Sequence, residues 1–216
     1  MRQFHRGEAP KRLLKAKKKF HRWNELDKTD EGRRVKETIQ RSLYDAQRGC
    51  CAYCDVRLRK KNGRLDAHVE HLQRRSNAPT LEFNWNNLFL SCCNEDSCGF
   101  YKDHKRIDFN VENIVDPSSD DPQDFFSYSP VDGSIRAQNS DKRAEKRALE
   151  TIRVFNLANS TRLKGIRRRV AENVASFCKY NPTEEQVEEF LELHKEQDCF
   201  SVYCSLLRRR TQDFDL

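Results

Sequence analysis

The stretch Asp66-Ala67-His68-Val69-Glu70-His71-Leu72 is framed by Cys51-Ala52-Tyr53-Cys54 before it and by Cys92, Cys93 and Cys98 after it. Four thiolates drawn from two knuckles surround Zn²⁺ tetrahedrally, and such a site supplies folding free energy to a unit too small to bury a full core. The spacing nominates Cys51, Cys54, Cys92 and Cys98 as ligands of a structural zinc. Five residues separate Cys92 from Cys98, more than the usual two to four, so Cys50 and Cys93 remain alternates. The nine cysteines are an odd number, and clustered thiols in a reducing compartment favour metal over disulfides. Cys178, Cys199 and Cys204 lie apart and read as buried thiols.

Inside the frame, a carboxylate beside two histidines offers an oxygen ligand for a hard divalent cation and an imidazole to act as base. In a regular strand His68 and Glu70 share one face and His71 takes the other. Glu70 and His71 reach one phosphate only if the strand bends or ends there. Arg74, Arg75 and Lys102 are the neighbouring cations expected to hold phosphate oxygens.

Working outward, Pro10 suits the start of a helix with Leu13, Leu14, Phe20 and Trp23 on its apolar side. Thr29 and Asp30 can cap a second helix, in which Val35, Ile39 and Leu43 recur every four residues until Gly49. Residues 107–140 are loop-like, with a hairpin expected from Tyr128 to Ile135 around Asp132-Gly133. From Asp141 the pattern is helical. Leu149, Ile152 and Phe155 form one stripe, and Leu163, Ile166, Val170, Val174 and Phe177 form another behind Ser160. Thr183 to Gln186 fits a capping box, and a last helix is expected from Phe200 to Arg209. The fold class is therefore α+β and mainly helical. A basic helical arm (1–48) precedes a zinc-stapled β/α unit (49–106), an acidic loop and hairpin (107–140) and a C-terminal helical region (141–216).

Of the 216 residues 35% are charged, against about 25% in an average soluble domain. No apolar run approaches the roughly 20 residues of a membrane-spanning helix. No apolar segment near Met1 resembles a signal peptide, so a cytoplasmic location is expected and a membrane partner is not. The net charge of +7 is unevenly spread. Residues 1–22 carry nine Lys/Arg against one Glu, residues 107–140 one against seven acids, and residues 141–180 eleven against four. Two basic zones around an acidic one suit a polyanion held at defined surfaces, although each run alone is also an ordinary solvated helix face.

Cys51-x-x-Cys54, the Glu70-His71 pair, Asn87-Leu88 leading to Cys92, then Cys98 and Lys102, together resemble the ββα-metal motif of HNH nucleases. The resemblance implies His71 as general base, Asn87 as the residue that orients His71, and Glu70 as a ligand of a catalytic Mg²⁺ or Mn²⁺. The family places a second ligand just after the fourth cysteine, where this chain has Gly99. His68, Asp103 and His104 are the substitutes on offer. Gln47 before the first knuckle, the run from Phe126 to Ile135 and Thr151-Ile-Arg-Val-Phe-Asn-Leu157 resemble one subfamily, the PtuB-like HNH subunit of Septu-type anti-phage systems, also found with retrons. That implies a PtuA-like ATPase partner and, in retron settings, a reverse transcriptase with its msDNA. The substrate would be DNA or RNA. The rival reading is a zinc-stapled nucleic-acid-binding or adaptor protein without catalysis of its own, and Gly99 keeps it in play.

Overall fold

Pro10 opens α1 (Lys11–Lys19), which stops at Phe20 with its N–H still bonded to Ala16. In the computed structural model, which describes residues 1–138 and 141–212, Leu13 and Ala16 form the buried side of α1, while Leu14 is 53% exposed. Trp23 is not on that helix face. It belongs to a separate 3₁₀ turn (Trp23–Lys28), because the chain is already extended at Phe20 and Arg22. Helix α2 (Asp30–Ala46) starts with the Thr29 hydroxyl accepting from Gly32 N at 3.0 Å, and buries Val35, Ile39 and Leu43 as their spacing predicts. Gly32 touches the Leu26 backbone so closely that any side chain there would overlap it.

After a short hairpin of β1 (Lys60–Lys61) and β2 (Arg64–Leu65), β3 (Ala67–His71) pairs antiparallel with β4 (Leu88–Cys92). Glu70 faces Phe89 in the register and His71 faces Leu88. Every residue of β4 is buried. The Gln47 amide clamps this strand, donating to Leu90 O at 2.9 Å and accepting from Leu90 N at 2.9 Å. Helix α3 (Cys98–His104) follows, so the elements run strand, strand, helix around the cysteine knuckles.

The expected hairpin forms as β5 (Phe126–Tyr128) against β6 (Ile135–Ala137), with Tyr128 opposite Ile135. Gly133, at φ +67°, lets the turn lie on the backbone of Arg167 and Arg168, where a Cβ would collide. Of the stripe expected on α4 (Lys142–Val154), Phe155 just past the helix end is fully buried and Ile152 is half-buried against the core, but Leu149 is not. Leu149 is 53% exposed, and Ala148, Thr151 and Val154 are buried instead. Thr151 faces inward because its hydroxyl accepts from Val115 N at 2.8 Å, which turns Leu149 out. Helix α5 (Thr161–Cys178) buries Leu163, Val170 and Val174 as expected, and also Arg167, whose guanidinium donates to Leu157 O at 2.6 Å. A capping box opens α6 (Glu184–His194), and α7 (Phe200–Gln212) extends beyond its expected end. Residues 213–216 of the expected C-terminal region lie outside the described residues.

All four sequence segments feed one hydrophobic cluster that runs from Met1 to Leu207. The fold is α+β and mainly helical, with small antiparallel sheets. No helix of the described residues is long and apolar enough to cross a membrane.

Candidate active site and metal centre

Cys51, Cys54, Cys92 and Cys98 converge with their sulfurs all within 4.8 Å of one another, and all four residues are buried. The Cys54 and Cys92 sulfurs are 3.9 Å apart. Four sulfurs about 2.3 Å from a central zinc stand roughly 3.8 Å from each other, close to the Cys54–Cys92 separation, so the donor set is one that suits Zn²⁺. Burial opposes ionisation of Cys51, yet the surrounding Cys54, Cys92 and Cys98 thiols hydrogen-bond to it and hold it well below the ordinary thiol range. Arg162 brings a guanidinium nitrogen to 3.8 Å from Cys92 Sγ, a charge suited to a thiolate-rich centre. The two alternates lie outside the cluster. Burial pushes the Cys50 thiol up to about 12 and the Cys93 thiol to about 11. Cys199 is buried and donates to Cys54 O at 3.4 Å, whereas Cys178 and Cys204 are only half-buried.

Strand β3 ends at His71, which is how neighbours on opposite faces come to line the same cleft. His68, Glu70, His71, Arg74, Arg75 and Asp103 surround a space of about 420 Å³, joined by Arg22, Trp23 and Glu82. His71 Nε2 is 3.0 Å from the main-chain oxygen of Glu82. A carbonyl only accepts, so Nε2 carries the proton and Nδ1 keeps the lone pair. The Trp23 ring packs edge-on against the imidazole at 4.7 Å. Burial, with smaller contributions from the Arg75 and Lys102 charges, holds His71 down at about 4. The imidazole is neutral at ordinary pH and chemically able to accept a proton.

Glu70 is in a different state. Its carboxylate accepts from Tyr53 Oη and pairs with Lys102 Nζ, and both Glu70 and Lys102 are fully buried. Lys102 also donates to His71 O at 2.7 Å and Leu72 O at 3.1 Å, and lies 3.0 Å from Asp103 Oδ1. An ammonium therefore occupies the place between two carboxylates that a divalent cation would take. Lys102 is a strut beneath the end of β3 and does not reach solvent or a phosphate, because its three donors are consumed inside the fold. Burial and the Glu70 charge push the Tyr53 phenol well up, which keeps it a donor.

The other expected metal ligands are not assembled. Asp103 pairs with Arg74 at 3.1 Å, and His104 is exposed and does not line the cleft. His68 lies edge-on to Phe100, with Nδ1 at 3.8 Å from Cys93 Sγ. Among the described residues, the cysteine cluster is the one place where three or more such side chains converge. The side chains as placed do not fit a Mg²⁺ or Mn²⁺ site.

Asn87 does not touch His71 either. Its amide accepts from Gln73 N at 2.7 Å and donates to Gln73 O at 3.0 Å and Leu81 O at 3.3 Å. It grips both ends of the loop that follows β3, and Glu82, whose carbonyl meets His71, comes next after Leu81. The orientation of His71 is thus indirect. Gly99 has a steric reason for being glycine, since a Cβ there would overlap Glu70 Cγ and approach Ser91 Oγ to 3.1 Å. Its N–H donates to the Ser91 hydroxyl at 3.1 Å.

Sequence reasoning missed Trp23, Glu82 and Tyr53. Only Tyr53 carries a local signal, its place inside the first knuckle. The Glu82 carboxylate is buried and pairs with Arg22 at 2.9 Å and with Trp23 N at 2.5 Å, contacts made across about sixty residues of chain. No protein-family model matches the chain, and no curated protein matches it.

Proposed function

We propose that the chain is an HNH-type endonuclease that hydrolyses phosphodiester bonds of nucleic acid with His71 as general base. What carries the reading is one observation: a neutral, oriented imidazole at the end of a strand, in a cleft edged by Arg22, Arg74 and Arg75, with the partner strand supplying Cys92 of a four-cysteine centre. In the reaction, His71 Nδ1 takes a proton from water as the water oxygen attacks phosphorus in line. The new P–O bond forms as the bond to the 3′ oxygen breaks. The leaving oxygen takes a proton from solvent, giving the 5′-phosphate and 3′-hydroxyl ends that the resemblance implies. Arg75 meets the charge that develops on the phosphate, since Arg22 and Arg74 are already paired with Glu82 and Asp103.

The reading includes a divalent ion, Mg²⁺ or Mn²⁺, as the resemblance implies. Such an ion at Glu70 requires Lys102 to leave the carboxylate, so metal titration tests that part separately. A PtuA-like ATPase and, in retron settings, a reverse transcriptase with msDNA are partners that rest on the resemblance alone, and co-purification tests them.

One observation favours the second reading, a zinc-stapled binding module. Glu70, the carboxylate that catalysis would use, is sealed between Tyr53 and Lys102. The deciding experiment compares wild type with His71→Ala on plasmid DNA, single-stranded DNA and total tRNA, with and without Mg²⁺ or Mn²⁺, alone and with the co-expressed ATPase. Cutting by wild type that the variant loses supports the nuclease. Binding of nucleic acid with no cutting under any of these conditions overturns it in favour of the binding module.

A further inference from the structure

Past Arg74 the cleft opens into a second pocket of about 200 Å³, lined by Gln73, Arg74, Asn77, Phe109, Asn110 and Val111. Its chemistry differs from that beside His71. There, three arginines face the space; here, three amides and one aromatic ring do, with a single cation. That cation, Arg74, already pairs with Asp103 at 3.1 Å, so it adds little demand for a second anion. Its guanidinium carbon lies 5.8 Å from the centre of the half-buried Phe109 ring and Lys102 Nζ lies 5.9 Å from it, which places Arg74 between the two pockets and sets two cations against the ring that a base would share.

Two of the three amides, Asn77 and Asn110, both at exposed positions, have donors to spare. Asn77 Oδ1 accepts from Ser76 Oγ at 2.8 Å and Asn110 Oδ1 accepts from Glu112 N at 3.0 Å. Both oxygens are fixed by these bonds, and among the described residues neither Nδ2 meets a protein acceptor. A phosphate site calls for cations and main-chain N–H groups. A base site calls for a π face to stack on and amide groups to meet the edges.

We propose that this pocket receives an unstacked nucleobase whose backbone passes Arg74 into the His71 cleft, which makes the substrate single-stranded nucleic acid or an unpaired loop. The inference rests on the nuclease reading for what occupies the adjoining cleft. A base inside an intact duplex is stacked on both faces and cannot reach Phe109 without being flipped out, at a cost of a few kcal/mol. A strand with free bases has no such cost.

The test is equilibrium binding, with no cleavage to be read, using His71→Ala protein as the parent. The probes are a short strand carrying one 2-aminopurine, the same strand in duplex, and the same strand with an abasic position instead, each as DNA and as RNA. The expected result is that one or both single strands bind more tightly than the duplex and that 2-aminopurine fluorescence falls on stacking. Phe109→Leu keeps apolar bulk but loses the ring, and should weaken strand binding by about 5- to 100-fold. Asn110→Ala, at an exposed position, should weaken it less, and neither change should alter binding of the abasic strand. Unchanged affinity and quenching in Phe109→Leu, equal binding of duplex and strand, or no binding of any probe would overturn the proposal. Failure of the nuclease reading looks different: strand binding and quenching as described, with wild type that never cuts.

Discussion

His71 donates through Nε2 to the main-chain oxygen of Glu82 at 3.0 Å, and the carboxylate of the same Glu82 holds Arg22 and the Trp23 N–H. One residue therefore ties the basic N-terminal arm to the imidazole. Glu82→Ala keeps the carbonyl but leaves the buried Trp23 N–H unsatisfied, at a cost of about 1–3 kcal/mol. Urea unfolding should register that loss, and on the nuclease reading cleavage should drop because Trp23 no longer braces the His71 ring. A variant that matches wild type in both measurements would dissolve the link.

His71 sits at about 4 because it is buried, against about 6.5 in the unfolded chain. A depressed histidine contributes stability that is fully present above pH 6.5 and is lost as pH falls toward 4, when only the unfolded state takes up the proton. The loss from this group alone is about 3 kcal/mol. Denaturation between pH 4 and 7 should show that slope in wild type and a shallower one in His71→Phe. On the nuclease reading the acid limb of kcat/KM should likewise fall near pH 4, and a limb at pH 6.5 would contradict this environment.

Lys102 and Glu70 form an ion pair with no solvent contact. Lys102→Met should cost about 3–5 kcal/mol, because it strands a buried carboxylate, and adding Glu70→Leu should recover much of that. The double-mutant cycle in urea reads it directly. Losses in the two single variants that simply add would mean the pair is not coupled.

The four-cysteine centre should hold one zinc per chain by elemental analysis. Cys54→Ser should lower the metal content and the melting temperature together, since binding free energy is folding free energy here. Cys93→Ser should change neither, because Cys93 lies outside the cluster. Loss of zinc in Cys93→Ser would reassign the ligands.

Gly99→Ala puts a methyl group onto Glu70 Cγ. Overpacking of this kind costs about 1–3 kcal/mol. Full stability in Gly99→Ala would show that Glu70 can move away, and so that its carboxylate is less fixed than its partners suggest.

Local patterns were legible in the sequence because their causes lie within a few residues. Val35, Ile39 and Leu43 repeat at the helical period, Thr183 sits three residues before Gln186, and Asp132-Gly133 marks a tight turn; each forms the element it announces. The α4 stripe misled because Leu149 is apolar and correctly spaced, while Thr151 wins the inward position through a hydrogen bond to a distant main-chain N–H. Asn87 and Lys102 were found at the right place with the wrong partners. Sequence spacing brings them near His71 but does not say which of several acceptors each will meet.

By itself, then, the sequence determined that six of its nine cysteines would cluster in one region, that a carboxylate and a histidine would stand side by side between the knuckles, and that helices would surround them. Those follow from spacing, propensity and the needs of a small unit for a staple. Tertiary structure alone decided the electrostatic state of each side chain. Burial made His71 neutral, the approach of α3 placed an ammonium on Glu70, and the return of the N-terminal arm set Trp23 against the imidazole. Charge and proton affinity depend on what lies within a few ångströms in space, and for these residues those neighbours are tens of positions away along the chain.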